Sequence, residues 1–396
     1  MAGRRILAAL ATMILVTLAF VAGYAAYPLI HAQPAPTLEQ PAADDAMAGF
    51  WQVWHLLDRD FYGTKPDEMR RTYGAIAGMV ESFGDPYTYF VEPEPRALER
   101  DQLAGKFGGI GASLEQTDGG WIVHPLADQP AAQAGVLDGD RLIRVDETPI
   151  TAQMSSDEIA FLVRGAPGTE VLLVVERTAA HGAPETLSIS VTRAEIVTPS
   201  IEWRLLDENP HTADIGYLRH TLFSERSADE MRQAVEELRA AGATRFIWDL
   251  RGNPGGLLNI AVEMTDLWLD DGVILIEAKA DGTRKELTAT PGQIAANAPL
   301  VLLVDGATAS ASEIVAGALH DHGRARLVGS ATFGKGSVQL IHELADQSSL
   351  HVTNSQWLTP NGRQISGQGL APDVYTAEGD DPLVVGIAEL PIVQEA

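Results

Sequence analysis

Two residues in the C-terminal half have the types and settings needed for acyl-transfer chemistry. Ser310 lies in Thr308-Ala309-Ser310-Ala311-Ser312-Glu313. It falls between an apolar run that reads as a buried strand, Leu300–Val304, and an apolar-striped helix near 312–319. A hydroxyl there would face free backbone N–H groups and the positive end of the helix dipole, both suited to the oxyanion of an acyl intermediate. The same residues could equally do no more than cap the helix, with Glu313 favourable in its first turn. Lys335 lies in Thr332-Phe333-Gly334-Lys335-Gly336-Ser337-Val338-Gln339, ahead of a strand-like run over 338–342. A lysine works as a general base only when neutral. Desolvation beside Phe333 would favour that state, and an adjacent carboxylate would oppose it. Gln339, four residues on, shares a strand face with Lys335 and could orient the amine without fixing its charge. An exposed loop lysine is the plain alternative.

A third segment, Asp249-Leu250-Arg251-Gly252-Asn253-Pro254-Gly255-Gly256, follows an apolar run over 246–250 and precedes a helical one over 257–269. Its amides would face the crevice beyond the carboxyl ends of a sheet, where a glycine N–H could be a second oxyanion donor. Read alone, it is as well explained as a plain turn. Other chemistries fare worse. Spacing leaves a Ser–His–Asp arrangement open for His220, His320, His322 or His351, but Gly-x-Ser-x-Gly is missing around Ser310, and His320-Asp321-His322 reads as a polar helix end. The stretch 329–335 matches most of a phosphate-binding loop. However, Gly336 stands where Ser or Thr must hold magnesium, and a strand rather than a helix follows. No His-Glu-x-x-His motif and no cysteine occur, so thiol chemistry, disulfides and Cys-ligated zinc are excluded, and neither metal nor cofactor is expected.

The elements that must position these residues divide the chain. Residues 47–106 read as helical, with Phe50, Trp51, Trp54 and Leu57, then Tyr73, Ile76 and Met79, at three-to-four spacing. Residues 107–196 are β-rich and glycine-rich, with one helix over Ser156–Val163 and strands expected over 110–114 and 171–176. From 197 onward strands and helices alternate, which predicts an α/β layered domain.

The chain has 396 residues, 45% hydrophobic and 21% charged, enough for two or three globular domains. Its 54 acidic against 28 basic residues give a net charge of −26, which argues against nucleic-acid binding. Arg4 and Arg5 precede an apolar run over 6–27, long enough to span the hydrocarbon layer. Residues 1–32 are therefore expected to be a membrane anchor, or a signal peptide cut near Ile30-His31-Ala32, with the remainder outside the cytoplasm. Residues 33–46 read as a Pro- and Ala-rich tether.

Within 107–196, Phe107-Gly108-Gly109-Ile110-Gly111, then Pro130-Ala131-Ala132-Gln133-Ala134-Gly135, Gly139-Asp140-Arg141-Leu142-Ile143 and Arg164-Gly165-Ala166-Pro167-Gly168 occur in an order that resembles a PDZ domain of the bacterial protease type. That resemblance implies a peptide C-terminus docked between the first strand and the helix, with backbone N–H groups of the glycine loop holding its carboxylate. Gly108, Gly109, Ile110, Gly111 and Arg164 would make the contacts, and Arg164 could couple peptide binding to the catalytic domain. Together with Ser82-Phe83-Gly84-Asp85-Pro86-Tyr87-Thr88 and the three segments above, the chain from about Phe50 to Pro382 resembles the carboxyl-terminal processing peptidases, or tail-specific proteases. The step from Ser310 to Lys335 matches as well. The resemblance implies Ser310 as nucleophile, Lys335 as base, Gln339 as its orienting partner, and an oxyanion hole on the N–H groups of Gly256 and Ala311. It implies an α/β crotonase- or Clp-like core over 197–396, with the PDZ domain of 107–196 inserted between that core and a helical cap over 47–106. It also implies protein or peptide substrates with apolar C-termini, a tail-gated dyad, and a homodimer or larger assembly. A non-catalytic tail-binding adaptor is the competing expectation, although it would need none of Ser310, Lys335 and Gln339.

Overall fold

The computed structural model describes residues 43–391, apart from 179–182, 208, 292, 293, 296 and 378. The apolar run over 6–27 and the expected cleavage or anchor segment lie outside the described residues. Among those described, no helix is long and apolar enough to cross a membrane. The chain divides into two compact units, residues 1–71 and 72–396. In the first, helix α1 (Ala43–Asp60) carries the expected aromatic spacing, with Phe50, Trp51 and Trp54 rings 5.1–6.2 Å apart. Arg71 lies over the Trp54 ring and pairs with Asp58. The stripe is not a buried one, because Trp51 and Leu57 are about half exposed. Helix α2 (Glu68–Glu81) crosses the division.

The second unit continues with β1 (Tyr89–Val91), α3 (Pro93–Ala104) and β2 (Lys106–Gly109). A β-rich module follows: β3 (Ala112–Thr117), β4 (Gly120–Pro125), α4 (Pro130–Gln133), β5 (Asp140–Val145), β6 (Thr148–Pro149), α5 (Ser156–Val163), β7 (Glu170–Thr178) and β8 (Pro184–Thr192). Its sheet runs β3-β4-β5-β7-β8 around its own core of Trp121, Val123, Leu142, Ile159 and Leu173. Helix α5 starts on a Ser155–Glu158 capping box, the local reason it begins where it does. The strand expected over 110–114 is interrupted. The Ile110 carbonyl accepts from Ala131 N–H and the Gly111 carbonyl from Leu126 N–H, so this stretch is a loop tied to the 126–131 segment, with Gly111 at φ +66°. Strand β9 (Ala194–Val197) returns to pair with β2.

The α/β core is built from β10 (Ile201–Leu205), β11 (Ile215–His220), α6 (Ser227–Ala240), β12 (Arg245–Asp249), α7 (Leu258–Asp266), β13 (Val273–Lys279), β14 (Arg284–Thr288), β15 (Leu300–Val304), α8 (Ala311–Asp321), β16 (Arg326–Gly329), β17 (Ser337–Glu343), β18 (Ser349–Leu358), β19 (Val374–Tyr375) and α9 (Pro382–Glu389). One six-stranded sheet has the order β10-β11-β12-β15-β16-β19 and is parallel except for β10. Every residue of β12 and β15 is buried, as central parallel strands covered on both faces require. Helices α6, α7 and α8 pack on one face around Trp248, Trp268, Phe246 and Leu302, while α9 covers part of the other over Ile247, Val301 and Leu303. A second, antiparallel sheet joins β1, β18, β13 and β14, with β17 also paired to β18. The architecture is thus an α/β core with a β-rich inserted module and N-terminal helices.

His220 ends β11 fully buried between Phe223 and Trp248. Its Nε2 bonds the Leu222 carbonyl and its Nδ1 has no partner. Burial drives its pKa from 6.5 down to about 3. The unfolded chain therefore binds a proton below pH 6.5 that the folded one refuses, so stability falls as pH drops from 6.5 towards 3. Between pH 6.5 and 5 this amounts to about 2 kcal/mol, at about 1.4 kcal/mol per pH unit. Denaturant unfolding of wild type and His220→Phe at both pH values checks it: the variant should lose that much less on acidification.

Candidate active site

Ser310 stands at the junction of β15 and α8, beyond the carboxyl end of the parallel sheet. Its backbone is at φ +55°, ψ −115°, a conformation that non-glycine residues rarely adopt and that costs about 1–3 kcal/mol. What holds it there is Glu313, one turn into α8 and completely buried. Its Oε2 accepts from the Ser310 N–H (2.8 Å) and the Lys335 N–H (2.9 Å), and its Oε1 accepts from the Gly334 N–H (2.7 Å) and the Thr332 hydroxyl (2.5 Å). Four donors satisfy the buried carboxylate, as burial of a charge demands. One side chain thereby joins the backbone of the serine to the backbone of the lysine loop.

The turn 249–256 is pinned at both ends. The Asp249 carboxylate, fully buried at the end of β12, takes bonds from Arg251, the Tyr217 hydroxyl and Arg219. Burial pulls its pKa up, but these donors outweigh burial and hold it below the usual carboxylate range. At the far end, buried Asn253 accepts the Gly255 N–H on its side chain, while its carbonyl accepts from the Ala309 N–H and the Ser312 hydroxyl. The glycines are there for space. A Cβ on Gly255 would meet Ser310 Cβ and Ala311 N at 2.9 Å, and one on Gly256 (φ +137°) would lie 2.3 Å from the Phe223 carbonyl oxygen. The parallel bridge between Phe223 and Gly256 uses the Gly255 carbonyl and the Leu257 N–H. It leaves the Gly256 N–H free, and the Ala311 N–H, first in α8, has no preceding helical carbonyl to bond.

Gly256 and Ala311 line a cavity of ≈ 390 Å³ that Ser310, Lys335 and Gln339 also line, together with Glu99 and His351. The five residues expected at the catalytic centre therefore converge on one cavity, although only their segments, not their mutual geometry, are evident in the sequence. Lys335 is partly buried, and its pKa is lowered by desolvation against the opposing charges of Glu99, Asp85 and Glu313. Its Nζ lies 5.1 Å over the ring of Tyr87 and makes no hydrogen bond to Ser310 Oγ. The Gln339 amide donates to Ser337 Oγ (2.8 Å) instead of to the lysine. A register shift between Val338 and Gln339 offsets the strand there, so simple alternation from Lys335 does not fix where Gln339 points.

In the β-rich module, Gly109, Ile110, Gly111 and Arg164 line an apolar groove of ≈ 110 Å³ between the loop and α5, with Phe107, Leu114 and Val163. Gly108 does not line it. Its carbonyl accepts from Gly165, and a Cβ there would meet the Gly165 carbonyl oxygen at 2.0 Å, so its lack of a side chain serves chain packing and not ligand contact. Arg164 caps the end of α5, stacks 4.1 Å over Phe107 and pairs with Asp101 of α3 at 3.1 Å.

The histidine alternatives separate in space. His220 is enclosed in the core, His320 pairs with Asp373, and His322 bonds the Val273 carbonyl. Of these four only His351 lines the cavity, and it makes no bond to Ser310. The 329–335 stretch runs into strand β17, not a helix. Glu99, Tyr87, Asp85, Asn253 and the full role of Glu313 escaped sequence reasoning. The Ser82–Thr88 motif, the 249–256 segment that contains Asn253, and Glu313 in the first turn of its helix gave the signal there was.

The family profile described as Peptidase family S41 matches residues 214–376, and a PDZ domain profile matches 121–177. A carboxy-terminal-processing protease of Bartonella bacilliformis is 34% identical over 91% of this chain and 82% of its own. The carboxy-terminal processing protease CtpA of Bacillus subtilis is 34% identical over 82% of this chain and 67% of its own. A carboxyl-terminal-processing protease of Synechocystis sp. is 36% identical over 81% of this chain and 75% of its own. With a third of its residues shared along most of its length, and with both profiles matched, the chain belongs to peptidase family S41, among the hydrolases that are carboxyl-terminal processing proteases.

Proposed function

We propose that this protein is a Ser–Lys endopeptidase whose dyad is completed when a substrate tail fills the PDZ groove. One observation carries the reading: Ser310, Lys335, Gly256 and Ala311 line a single cavity, and Glu313 ties the backbone of Ser310 to that of Lys335. In the reaction Ser310 Oγ attacks a peptide carbonyl carbon while neutral Lys335 takes the hydroxyl proton. The Gly256 and Ala311 N–H groups hold the tetrahedral oxyanion. Collapse breaks the C–N bond, the lysine proton passes to the leaving amine, and an acyl ester remains on Ser310. Lys335 then takes a proton from water, which attacks the ester carbonyl; collapse breaks the bond to Ser310 Oγ, the lysine proton returns to that oxygen, and the new carboxylate leaves. Gln339 would orient the amine once it releases Ser337.

The described geometry fits a resting form, with the ammonium over Tyr87 and apart from Ser310. In the gating step, a peptide carboxylate competes with Asp101 for Arg164 and loosens α3, the helix whose Glu99 and Leu103 line the catalytic cavity. Substrates of this reading are proteins and peptides with accessible apolar C-termini, because the groove is apolar apart from Arg164 and backbone groups. The reading also includes an extracytoplasmic location, anchored or exported through 1–32, and a homodimer or larger assembly; membrane fractionation and sedimentation of the full chain test both.

Ser310→Ala and Lys335→Ala should each lose activity by several powers of ten on an unstructured substrate with an apolar tail, and undiminished cleavage by either variant refutes the dyad. Glu313→Gln removes the charge that serves four donors. It should cost about 2–4 kcal/mol by thermal unfolding and at least tenfold in kcat, whereas an intact rate would show that the bridge is dispensable. Arg164→Ala should abolish stimulation by an added tail peptide and raise KM for the tailed substrate by about tenfold, the worth of one charge-assisted contact.

A further inference from the structure

The catalytic cavity holds a pair of ionisable side chains that the acyl-transfer steps do not use. Glu99, on α3, and His351, on β18, both line it. Glu99 Oε2 accepts from Arg96 Nη1 at 3.0 Å, and Arg96, itself buried, is fixed from its other side by Glu343 on β17. His351 is 3% exposed and stacked on Tyr89 at 4.5 Å. Its Nε2 lies 3.4 Å from Glu99 Oε2, in ion-pair range but without a hydrogen-bond partner. Burial pulls the Glu99 carboxyl up, yet His351 and Arg96 outweigh it and hold Glu99 below the usual carboxylate range, hence ionised.

Lys335 enters the same cavity from the opposite strand, β17's N-terminal loop. The charges that face it are Glu99 from α3, Asp85 from the loop after α2, and Glu313 from α8, with Glu99 the strongest of the three. His351 lines the cavity from β18. Asp85 is engaged by Thr88 and the Tyr87 N–H, and Glu313 by its four donors, so both are committed to holding backbone in place. Glu99 is the carboxylate that pairs with side chains, Arg96 and His351, and it sits on the helix that also reaches the PDZ groove through Asp101 and Arg164.

We propose that Glu99 is a positioning residue for Lys335: its carboxylate, fixed in the cavity by Arg96, keeps the lysine side chain a charged ammonium over Tyr87 and away from Ser310. Helix α3 thereby sets when the base becomes available. An ammonium near a fixed carboxylate gives up its proton less readily, and in a partly desolvated cavity the attraction is larger than in water. Moving α3 by the length of a side chain weakens that attraction and frees the amine. The proposal rests on the Ser310–Lys335 reading and adds the element that keeps the dyad apart.

The test is kcat/KM against pH for the full chain on an unstructured peptide with an apolar tail, in wild type, Glu99→Gln, Glu343→Gln and Lys335→Ala. Activity rises with pH as Lys335 loses its proton. Glu99→Gln should move that rising limb down by about one pH unit, so that the rate on the limb rises about tenfold. Glu343→Gln, which leaves Arg96 its bond to Glu99 and takes no charge from those facing the lysine, should keep the wild-type limb, and a limb that moves as far as in Glu99→Gln overturns the proposal. A limb that stays put or moves up in Glu99→Gln overturns the proposal while leaving the dyad standing. Activity in Lys335→Ala overturns the dyad, and the proposal with it. A readout independent of turnover covers the case in which Glu99→Gln folds poorly. In Ser310→Ala, the rate of Lys335 acetylation by an amine-reactive reagent is followed against pH, with Glu99→Asp as a second variant. Easier modification at lower pH in either Glu99 variant supports the proposal, and an unchanged profile in both overturns it.

Discussion

Everything at the catalytic centre hangs from the buried carboxylate of Glu313. It satisfies the N–H of a serine held at positive φ, two N–H groups of the lysine loop and the hydroxyl of Thr332. A carboxylate with four good donors in a dry setting is strongly bound, whereas any donor left without it would be a buried, unpaired polar group. The bridge therefore resists partial rearrangement. Either the lysine backbone and the serine backbone stay in register or the whole junction comes apart. Thr332 extends the same connection, since its N–H and hydroxyl engage Leu370 in the C-terminal segment.

With both backbones fixed, the variable part of the site is the lysine side chain. Its stem is long, its ammonium rests on the Tyr87 ring, and three carboxylates face it in a chain of net charge −26. Desolvation favours the neutral amine and the carboxylates favour the ammonium, so small shifts of either change the fraction available as base. On the proposed Ser–Lys reading, a nucleophile and an oxyanion hole held by backbone bonds, with a base on a long side chain, make a site that can be switched without being rebuilt. Helix α3 spans the distance such a switch requires, from Arg164 at the edge of the peptide groove to Glu99 and Leu103 at the cavity.

The wider fold serves that arrangement by convergence at one edge. The parallel strands β12 and β15 end side by side, and each gives way to a turn whose amides point past the sheet. Asn253 sews the first turn to the second through Ala309 and Ser312, which is how two stretches some 55 residues apart come to line one cavity. The second sheet then brings β17, with Lys335 at its approach, across from them.

Much of this was legible in the residues themselves. The apolar runs at 246–248 and 300–304 read as strands covered on both faces, and small residues next to Ser310 mark a turn where backbones approach closely. Local chemistry of that kind fixes element type, the position of Ser310 at a helix start, and the presence of a lysine between glycines. The sequence could not decide which side chains meet across long separations. Asp101 against Arg164, Glu99 and Lys335 brought to one cavity, and the Asn253 carbonyl against the Ala309 N–H are products of how the sheets and helices stack, and no periodicity within one segment encodes them. Gly108 has the same lesson in reverse: its glycine reads as ligand-binding in isolation, and only the turn passing at Gly165 reveals that it makes room for backbone. Whether the lysine faces the serine or the tyrosine is likewise a tertiary matter, because desolvation and opposing charge are properties of the surrounding cavity and not of the residue.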